Sequence, residues 1–486
     1  MKYLNVMALC DFYKISHRAM YPEGTQVVYS TWTPRGTRLE GVDRVVCFGL
    51  QAFIKDKLQA MFNDEFFDRA KSEVVADYRR LIQNTLGQDP ETQHIEALHD
   101  LGYLPLSIKA LPEGTRVPLR VPMFTIQNTD PRFFWLTNYI ETLASCELWQ
   151  PSTSATVAFE YRRILDDAAI KTGAPLDFVP FQGHDFSMRG MSSLGSAVTS
   201  GMGHLLSFVG TDTIPAIQAL EAFYGANVEH ELVGTSIPAS EHSIQCAYGD
   251  DLKYYTELLT RVHPEGIVSI VSDGYDFWDV IGRVLPLLKD TILRRNGKVV
   301  VRPDSGDPVK IVCGDPDGTT ELERLGAVEA LWNLFGGTTT PRGFKVLDAK
   351  IGLIYGDAIT RARAQEILDL LAQKGFASCN VVLGVGSFSY QYNTRDTFGF
   401  ALKSTMCQIQ GVETPIFKDP KTDDGLKKSQ KGCVAVVLRD GHLVVTDGHG
   451  LTEQIPGDHL VEVFRDGQLL VDQSLASIRA RLRGTP

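Results

Sequence analysis

The segment Lys298–Asp307, KVVVRPDSGD, decides the fold of this chain. Its three consecutive valines show no polar alternation, which is typical of a strand covered on both faces in a parallel sheet packed by helices. Arg302 and Asp304 follow that strand, and opposite charges are costly there unless they pair with each other or bind a ligand. The carboxyl end of the strand is therefore a candidate active site, and a structural ion pair that closes a turn is the alternative.

Six other segments repeat this arrangement of an apolar run that ends in polar residues, most of them about thirty residues apart. They are 181–186 (FQGHDF), 205–212 (LLSFVGTD), 235–242 (TSIPASEH), 267–276 (IVSIVSDGYD), 351–357 (IGLIYGD) and 380–388 (NVVLGVGSF). Helical periodicity fills the intervals, for example at Pro215–Tyr224, Gln245–Leu259, Phe277–Leu288 and Ile359–Lys374. Such βα units build an open doubly wound sheet or a closed barrel. We predict a closed α/β barrel, because seven or eight units suffice to close it and no dinucleotide-binding fingerprint follows a first strand.

A carboxylate stands at the end of each of the first six segments in chain order. These residues are Asp185, Asp212, Glu241, Asp273, Asp304 and Asp357. A ring of carboxylates repels itself unless cations, ligand hydroxyls or basic side chains balance it. Candidates for the basic side chains are Arg189, His242, Arg302, Arg395 and Lys403. The pattern indicates a substrate with phosphates and hydroxyls, together with Mg²⁺, which prefers oxygen ligands.

Composition excludes several classes of protein. The chain has 486 residues, 43% hydrophobic and 22% charged, which is ordinary for a globular protein of two to three domains. A net charge of −11 argues against general nucleic-acid binding. The eight cysteines form no CxxC pair, and there is neither a signal-peptide core nor an apolar run near the roughly 20 residues of a membrane span. We therefore expect a cytoplasmic protein without a membrane partner.

The two ends of the chain predict a second domain. Residues 1–150 mix strand and helix patterns, and residues 390–486 contain two hairpin signals, at Asp440-Gly441 and Asp466-Gly467. We expect these regions to pack together as one α+β domain beside the catalytic barrel of residues 151–389.

The order of the motifs along the chain is more specific than any one of them. These motifs are DFYK (11–14), HDFSMRG (184–190), GTDT (210–213), SIPASEHS (236–243), VSDGYD (271–276), RPDSGDP (302–308), YGD (355–357), TRD (394–396) and FKDP (417–420). Together they resemble the nicotinamide phosphoribosyltransferases, which are type II phosphoribosyltransferases. The resemblance implies an irregular α/β barrel with a second domain. It also implies a homodimer with shared active sites that condenses nicotinamide with 5-phosphoribosyl-1-pyrophosphate to nicotinamide mononucleotide and pyrophosphate in NAD salvage.

The chemistry explains the residue types that the resemblance places in the site. Breaking the anomeric bond builds positive charge on the ribose and negative charge on the leaving group, so carboxylates and cations are both needed. The resemblance implies that Arg189, His242 and Arg302 surround pyrophosphate, since an arginine fork matches phosphate oxygens. It implies that Asp273 and Asp304 lie near the ribose hydroxyls and Mg²⁺, directly or indirectly.

Two aromatic residues are implied to hold the base. The ring is expected to stack between Phe186 and Tyr13, the latter reaching over from the partner subunit. From spacing alone, a residue such as Phe186 is more often part of the core, and Tyr13 is similarly ambiguous. The resemblance adds Asp11 and Ser269 to the substrate-binding residues, although Asp11 alternatively caps a helix.

Asp212 is the residue that we expect to decide the substrate. A carboxylate accepts a hydrogen bond from a carboxamide NH₂ but repels a nicotinate carboxylate, so nicotinamide is favoured over nicotinate. Capping of the helix that follows is the alternative function of this side chain.

His242 is implied by the resemblance to be phosphorylated by ATP, an optional step coupled to improved catalysis. The neighbouring Glu241 is predicted to orient the imidazole ring. The alternative is that His242 is a neutral residue with satisfied hydrogen bonds or a simple hydrogen-bond donor to phosphate.

The segment Gly384–Phe388, GVGSF, resembles a loop that binds the 5′-phosphate through backbone N–H groups, although the family usually has GSGGG there. Gly384 and Ser387 are implied phosphate contacts, and Arg395 and Lys403 are the more dependable ones. Gly356 and Asp357 are expected beside the ribose or the ring.

Other functions remain open from the sequence. A nicotinate-specific or quinolinate-specific relative differs at Asp212. A Mg²⁺-dependent barrel hydrolase would act without 5-phosphoribosyl-1-pyrophosphate, and a non-enzymatic binding protein would occupy its sites without turnover.

Overall fold

The computed structural model describes residues 4–356, 359–417 and 430–484. They form two compact units. The terminal unit comprises the chain up to Thr156, the segment Leu220–Ala226 and the chain from Asn393 onward, and the barrel unit comprises Val157–Ala219 and Asn227–Tyr392. The sequence-based boundaries at residues 150 and 390 shift to 156 and 392, and Leu220–Ala226 departs from the predicted division altogether. It belongs to the terminal unit because the buried Tyr224 ring stacks on Phe48, with the ring centroids 5.1 Å apart.

An antiparallel sheet joins both ends of the chain in the terminal unit. Its seven strands run in the order Val412–Pro415, Ala401–Ile409, Thr25–Thr33, Phe124–Asn128, Leu106–Ala110, Val461–Arg465 and Gln468–Leu469. C-terminal strands therefore flank N-terminal ones on both sides, which confirms the predicted α+β domain.

The predicted hairpins are confirmed. The strands Cys433–Arg439 and His442–His449 pair across Asp440-Gly441, whose φ angles are 51° and 77°. The turn between Val461–Arg465 and Gln468–Leu469 repeats this geometry at Asp466-Gly467. Two successive positive φ angles are the requirement of the tight turn that Asp-Gly favours.

The terminal unit also contains helices and a group of stacked aromatic rings. The helices include His17–Met20, Leu50–Phe53, Lys71–Leu86, Gln93–Leu101, Leu136–Tyr139 and Leu475–Gly484, and the long helix Glu141–Thr172 begins there. The buried Trp32 ring stacks against Phe124 and Phe400, with centroids 5.9 and 5.3 Å away. Within the described part of the chain, no helix has both the length and the apolar character needed to cross a membrane.

Six parallel strands form the main sheet of the barrel unit. Their order is Gly210–Thr211, Gly183–Asp185, Val381–Val385, Ile351–Tyr355, Gly297–Arg302 and Gly266–Val271. Val299 and Val301 are fully buried and Val300 is 9% exposed, so the valine run is covered on both faces as predicted.

Residues 235–240 connect the two edges of this sheet through single bridges. The Thr211 N–H donates to the Thr235 carbonyl at 2.9 Å, and the Ser240 N–H donates to the Ser269 carbonyl at 3.0 Å on the opposite edge. Hydrogen bonds therefore run all the way round the sheet, which confirms the irregular barrel.

Helices follow the barrel strands as the periodicity predicted. They are Leu194–His204, Ile214–Tyr224, His242–Tyr248, Asp251–Glu257, Phe277–Asp279, Leu285–Arg294, Pro308–Cys313, Glu321–Leu325, Ala327–Phe335, Arg361–Gln373 and Ser387–Gln391. The predicted helix Gln245–Leu259 is interrupted, because Gly249 has a φ of 71° and ends the first piece. The Asp250 side chain then accepts the Lys253 N–H at 2.7 Å and begins the second piece.

Candidate active site

The carboxyl ends of the barrel strands surround a cleft of about 640 Å³. Seven of the side chains or glycines predicted for the site line it: Phe186, Arg189, Asp212, Arg302, Asp304, Gly356 and Ser387. Gly384 lies directly beneath, since a Cβ there would be 2.7 Å from both the Gly356 Cα and the Phe186 ring. Residues from five separate βα units thus meet at one pocket.

Arg302 is held in place from one side and leaves a donor unused. Its Nη2 donates to the Ser240 carbonyl, and its Nε lies 3.8 Å from Asp304 Oδ1. That Nε is buried and has no hydrogen-bond partner among the described residues. Because a buried donor without a partner is costly, the geometry suits an anionic ligand at this point.

Asp273 joins His242 to the loop that carries Asp304. Its Oδ1 lies 2.8 Å from His242 Nε2, and its Oδ2 accepts the N–H groups of Asp304 and Ser305 at 2.8 and 2.7 Å. Burial raises the pKa of this carboxyl, but these hydrogen bonds more than offset that effect and leave the pKa below its usual value. Asp273 is therefore ionised and fixes both the imidazole and the loop.

The carboxylate that orients His242 is Asp273, in place of the predicted Glu241. Glu241 stands at the start of the helix His242–Tyr248 and accepts a hydrogen bond from the Ser243 hydroxyl. Extended backbone at Glu241 carries its side chain into this local contact, whereas Asp273 reaches His242 from the neighbouring βα unit.

Asp212 accepts two hydrogen bonds on one oxygen. His184 Nε2 lies 2.9 Å from Asp212 Oδ1, and the Ser236 hydroxyl donates to the same atom at 2.7 Å. Burial raises the pKa of Asp212, but the hydrogen bond and charge of His184, the Ser236 hydrogen bond and the Arg302 charge outweigh it, so the pKa lies below its usual value. Sequence reasoning did not single out His184, although the HDFSMRG motif contains it.

A second cavity of about 400 Å³ extends from this point into the barrel. It shares Phe186, Asp212 and Arg302 with the cleft and reaches Lys298 at the opposite end of the strand Gly297–Arg302. Ser269 lines it, and its buried hydroxyl has no hydrogen-bond partner in the part of the chain that the structure describes. Ser269 thus faces a mainly apolar interior with an unused polar group.

The predicted phosphate loop runs from the strand Val381–Val385 into the helix Ser387–Gln391. Gly190 packs against it so closely that a Cβ there would lie 2.1 Å from the Ser387 hydroxyl. Arg363, which the sequence analysis missed, lines the same cleft from the helix Arg361–Gln373. Where the family usually has glycine, Phe388 is 58% exposed.

Asp11 and Tyr13, which were predicted to bind substrate, belong to the terminal unit. Asp11 does not cap the short helix that follows it, because its Oδ2 accepts the Thr142 hydroxyl at 2.8 Å. Tyr13 is 57% exposed. Asp357 lies outside the described residues.

Lys403 and Arg395 belong to a cluster of cations in the terminal unit. Burial lowers the pKa of Lys403, and the charges of Arg35, Lys14 and Arg395 lower it further against the opposing effect of Glu141. Arg35, which sequence reasoning missed, donates from Nε to the Gly399 carbonyl at 2.7 Å. Clustered cations whose charges disfavour one another suit a phosphate group.

The described residues contain no group of three or more His, Cys, Asp or Glu side chains that could hold a metal ion. Asp273 is a poor direct ligand, because its side chain is 5% exposed and both oxygens accept protein hydrogen bonds. Asp304 is 31% exposed and lines the cleft. Of the two predicted residues, Asp304 is the one that fits a metal whose other ligands come from substrate oxygens and water.

Comparison with known families covers most of the chain. Residues 181–468 match the profile described as the nicotinate phosphoribosyltransferase (NAPRTase) family. Residues 5–108 match the one described as the nicotinamide phosphoribosyltransferase N-terminal domain.

Individual proteins agree with this comparison. A nicotinamide phosphoribosyltransferase of Acinetobacter baylyi is 50% identical over 494 residues, covering 99% of this chain and 97% of that protein. One of Mycoplasma pneumoniae is 36% identical, covering 87% of this chain and 93% of that protein. The crystal structure of nicotinate-nucleotide pyrophosphorylase from Pyrococcus furiosus superposes with a TM-score of 0.59 over 99% of this chain and 95% of that chain, and its 14% identity supports the fold alone.

Proposed function

This chain belongs to the nicotinate phosphoribosyltransferase family and is a pentosyltransferase, and we propose that it transfers the 5-phosphoribosyl group of 5-phosphoribosyl-1-pyrophosphate to nicotinamide. The ring nitrogen of nicotinamide forms a bond to ribose C1 as the bond from C1 to the pyrophosphate oxygen breaks. The products are nicotinamide mononucleotide and pyrophosphate, which places the reaction in NAD salvage.

The observation that carries the choice of nicotinamide is the hydrogen bonding of Asp212. Both hydrogen bonds described for its side chain end on Oδ1, and the residue lines the cleft beside Phe186. A carboxamide NH₂ can donate to Oδ2, whereas the carboxylate of nicotinate would meet a like charge. The Phe186 ring supplies one flat wall for the pyridine.

The charges of the cleft match those of the reaction. The departing pyrophosphate gains negative charge, which Arg302 and Arg189 are placed to stabilise with N–H donors. The ribose gains positive charge, and the Asp304 carboxylate lies against Gly356 where the sugar would pass. A Mg²⁺ ion bound to the diphosphate would supply further charge stabilisation, with Asp304 as its contact in the protein.

His242 is the proposed site of phosphorylation by ATP. Its side chain is 46% exposed, and Nε2 faces the ionised Asp273. Since that carboxylate accepts a hydrogen bond from the Nε2–H group, Nδ1 carries the lone pair of the neutral ring. In the proposed step Nδ1 bonds to the γ-phosphorus of ATP as the bond from that phosphorus to ADP breaks.

A homodimer would complete the site. The cleft of the barrel unit supplies Phe186 and the pyrophosphate ligands, while Tyr13, Arg395 and Lys403 belong to the terminal unit. We propose that the partner subunit supplies these three in a cytoplasmic dimer. Sedimentation at micromolar concentration tests the dimer, and a monomer with full activity would contradict it.

One assay tests the reaction. The purified chain is incubated with 5-phosphoribosyl-1-pyrophosphate, Mg²⁺ and either nicotinamide or nicotinate, each with and without ATP, and products are identified by chromatography and mass. We expect nicotinamide mononucleotide and pyrophosphate, with more turnover in the presence of ATP. Product from nicotinate alone would overturn the choice of base, and absence of any pyridine nucleotide would overturn the proposed reaction.

Phosphorylation is tested separately with γ-labelled ATP. We expect acid-labile label in the wild type and in His230→Asn, an exposed control, and no label in His242→Asn. Label that persists in His242→Asn would place the phosphate elsewhere.

A further inference from the structure

We propose that His184 is a positioning residue that determines specificity, because it holds Asp212 with one oxygen engaged and the other directed to the base. This inference rests on the proposed function and names the part of the site that reads the carboxamide. His184 lies in the strand Gly183–Asp185 and pairs in register with Gly210, two residues before Asp212. Adjacent parallel strands therefore bring the imidazole to the carboxylate.

The hydrogen bonds of Asp212 show which atoms donate and which oxygen accepts. An ionised carboxylate only accepts, so the 2.9 Å contact requires a proton on His184 Nε2. Ser236 donates to the same Oδ1 at 2.7 Å. Two donors on one oxygen fix the rotamer of Asp212 and leave Oδ2 without a hydrogen bond among those described. A single accepting oxygen is what a carboxamide NH₂ requires and what a ligand carboxylate avoids.

Packing fixes the imidazole itself. His184 is 8% exposed, and its ring centroid lies 4.5 Å from that of Phe186 at an angle of 36°. A Cβ at Gly210 would be 2.8 Å from Nδ1 of His184, so only glycine leaves room for the ring. One side chain thus touches both the proposed stacking wall and the carboxylate that reads the amide.

The same contacts give the expected effect of substitution. His184→Leu removes one donor from Asp212 and lets the carboxylate rotate. We expect kcat/KM for nicotinamide to fall about tenfold, mainly through KM, since a hydrogen bond to a charged group has about that value. The ratio of nicotinate to nicotinamide turnover should rise, and KM for 5-phosphoribosyl-1-pyrophosphate should stay unchanged. His184→Gln keeps an N–H donor and should recover most of the loss.

A double-mutant cycle tests whether His184 acts through Asp212. The wild type, His184→Leu, Asp212→Asn and the double variant are compared for kcat/KM with both bases. We expect strong non-additivity: once Asp212 is replaced, loss of His184 should change the selectivity ratio by less than about twofold. Additive effects, or an unchanged ratio in His184→Leu, would overturn the inference while leaving the proposed function intact.

A second variant covers the possibility that His184→Leu fails to fold. Ser236 is exposed, so Ser236→Ala should fold, and it removes the other donor to Oδ1. Its effect on the ratio should have the same sign and should also vanish in the Asp212→Asn background. An unchanged ratio in Ser236→Ala would likewise overturn the inference. Failure of the wild type to use nicotinamide would instead refute the proposed function, and this inference with it.

Discussion

Replacement of Asp273 by asparagine tests the connection between His242 and the loop that carries Asp304. The carboxylate accepts one hydrogen bond from His242 Nε2 and two from backbone N–H groups, and its side chain is 5% exposed. An amide oxygen can keep the two backbone bonds, but bonds to a neutral acceptor are about half as strong as bonds to an ionised one. At about 1 kcal/mol lost for each of the two, Asp273→Asn should lower the free energy of unfolding by about 2 kcal/mol.

The assay is urea unfolding of the wild type, Asp273→Asn and Asp279→Asn. Asp279 is the matched control, because the same change is made at an exposed carboxylate that pairs with Arg283 four residues on. Such a surface pair contributes only about 0.5 kcal/mol. Catalytic turnover should fall in Asp273→Asn and not in Asp279→Asn, since only the former releases His242. Equal losses of stability in the two variants would refute the reasoning.

Three further predictions follow from individual contacts. Arg302→Lys replaces a planar guanidinium by a point charge, so KM for 5-phosphoribosyl-1-pyrophosphate should rise about tenfold in steady-state assays. An unchanged KM would exclude a two-pronged contact between Arg302 and the substrate. Gly190→Ala would place a Cβ 2.1 Å from the Ser387 hydroxyl, so binding of 5-phosphoribosyl-1-pyrophosphate, measured by calorimetry, should weaken. Binding should recover in the double variant Gly190→Ala/Ser387→Gly, which removes the clash. No recovery would show that the clash does not displace the loop. Folding lowers the pKa of Asp273, so its ionised carboxylate contributes to stability above the unfolded pKa of about 3.9. That contribution is lost as the pH falls through the folded pKa. When the free energy of unfolding is measured against pH, Asp273→Asn should therefore lack this acid-dependent loss.

Sequence periodicity identified the barrel because the signals are local. Each strand carries its own apolar run, and a buried parallel strand such as Gly297–Arg302 needs no partner to be recognised. The Asp-Gly turns were equally clear, since positive φ angles at two successive residues depend on those residues alone. Closure of the barrel was less visible, because residues 235–240 complete the ring with single bridges and lack a strand pattern.

The hydrogen-bond partners of the site residues depend on how neighbouring strands are aligned with one another. Asp273 contacts His242, 31 residues away in sequence, and Asp212 contacts His184, 28 residues away. Neither pairing can be predicted from the spacing of residues along the chain. Sequence spacing alone therefore indicates the neighbouring Glu241 as the partner of His242, whereas in the structure Glu241 accepts a hydrogen bond from Ser243.

The amino-acid sequence by itself determined the repeated βα units, the placement of charged residues at strand ends and the hairpins, since these follow from short-range periodicity and backbone preference. Only the tertiary structure decided which carboxylate faces which imidazole. Hydrogen bonds reach about 3 Å, and a shift of one residue in strand pairing turns every side chain to the opposite face.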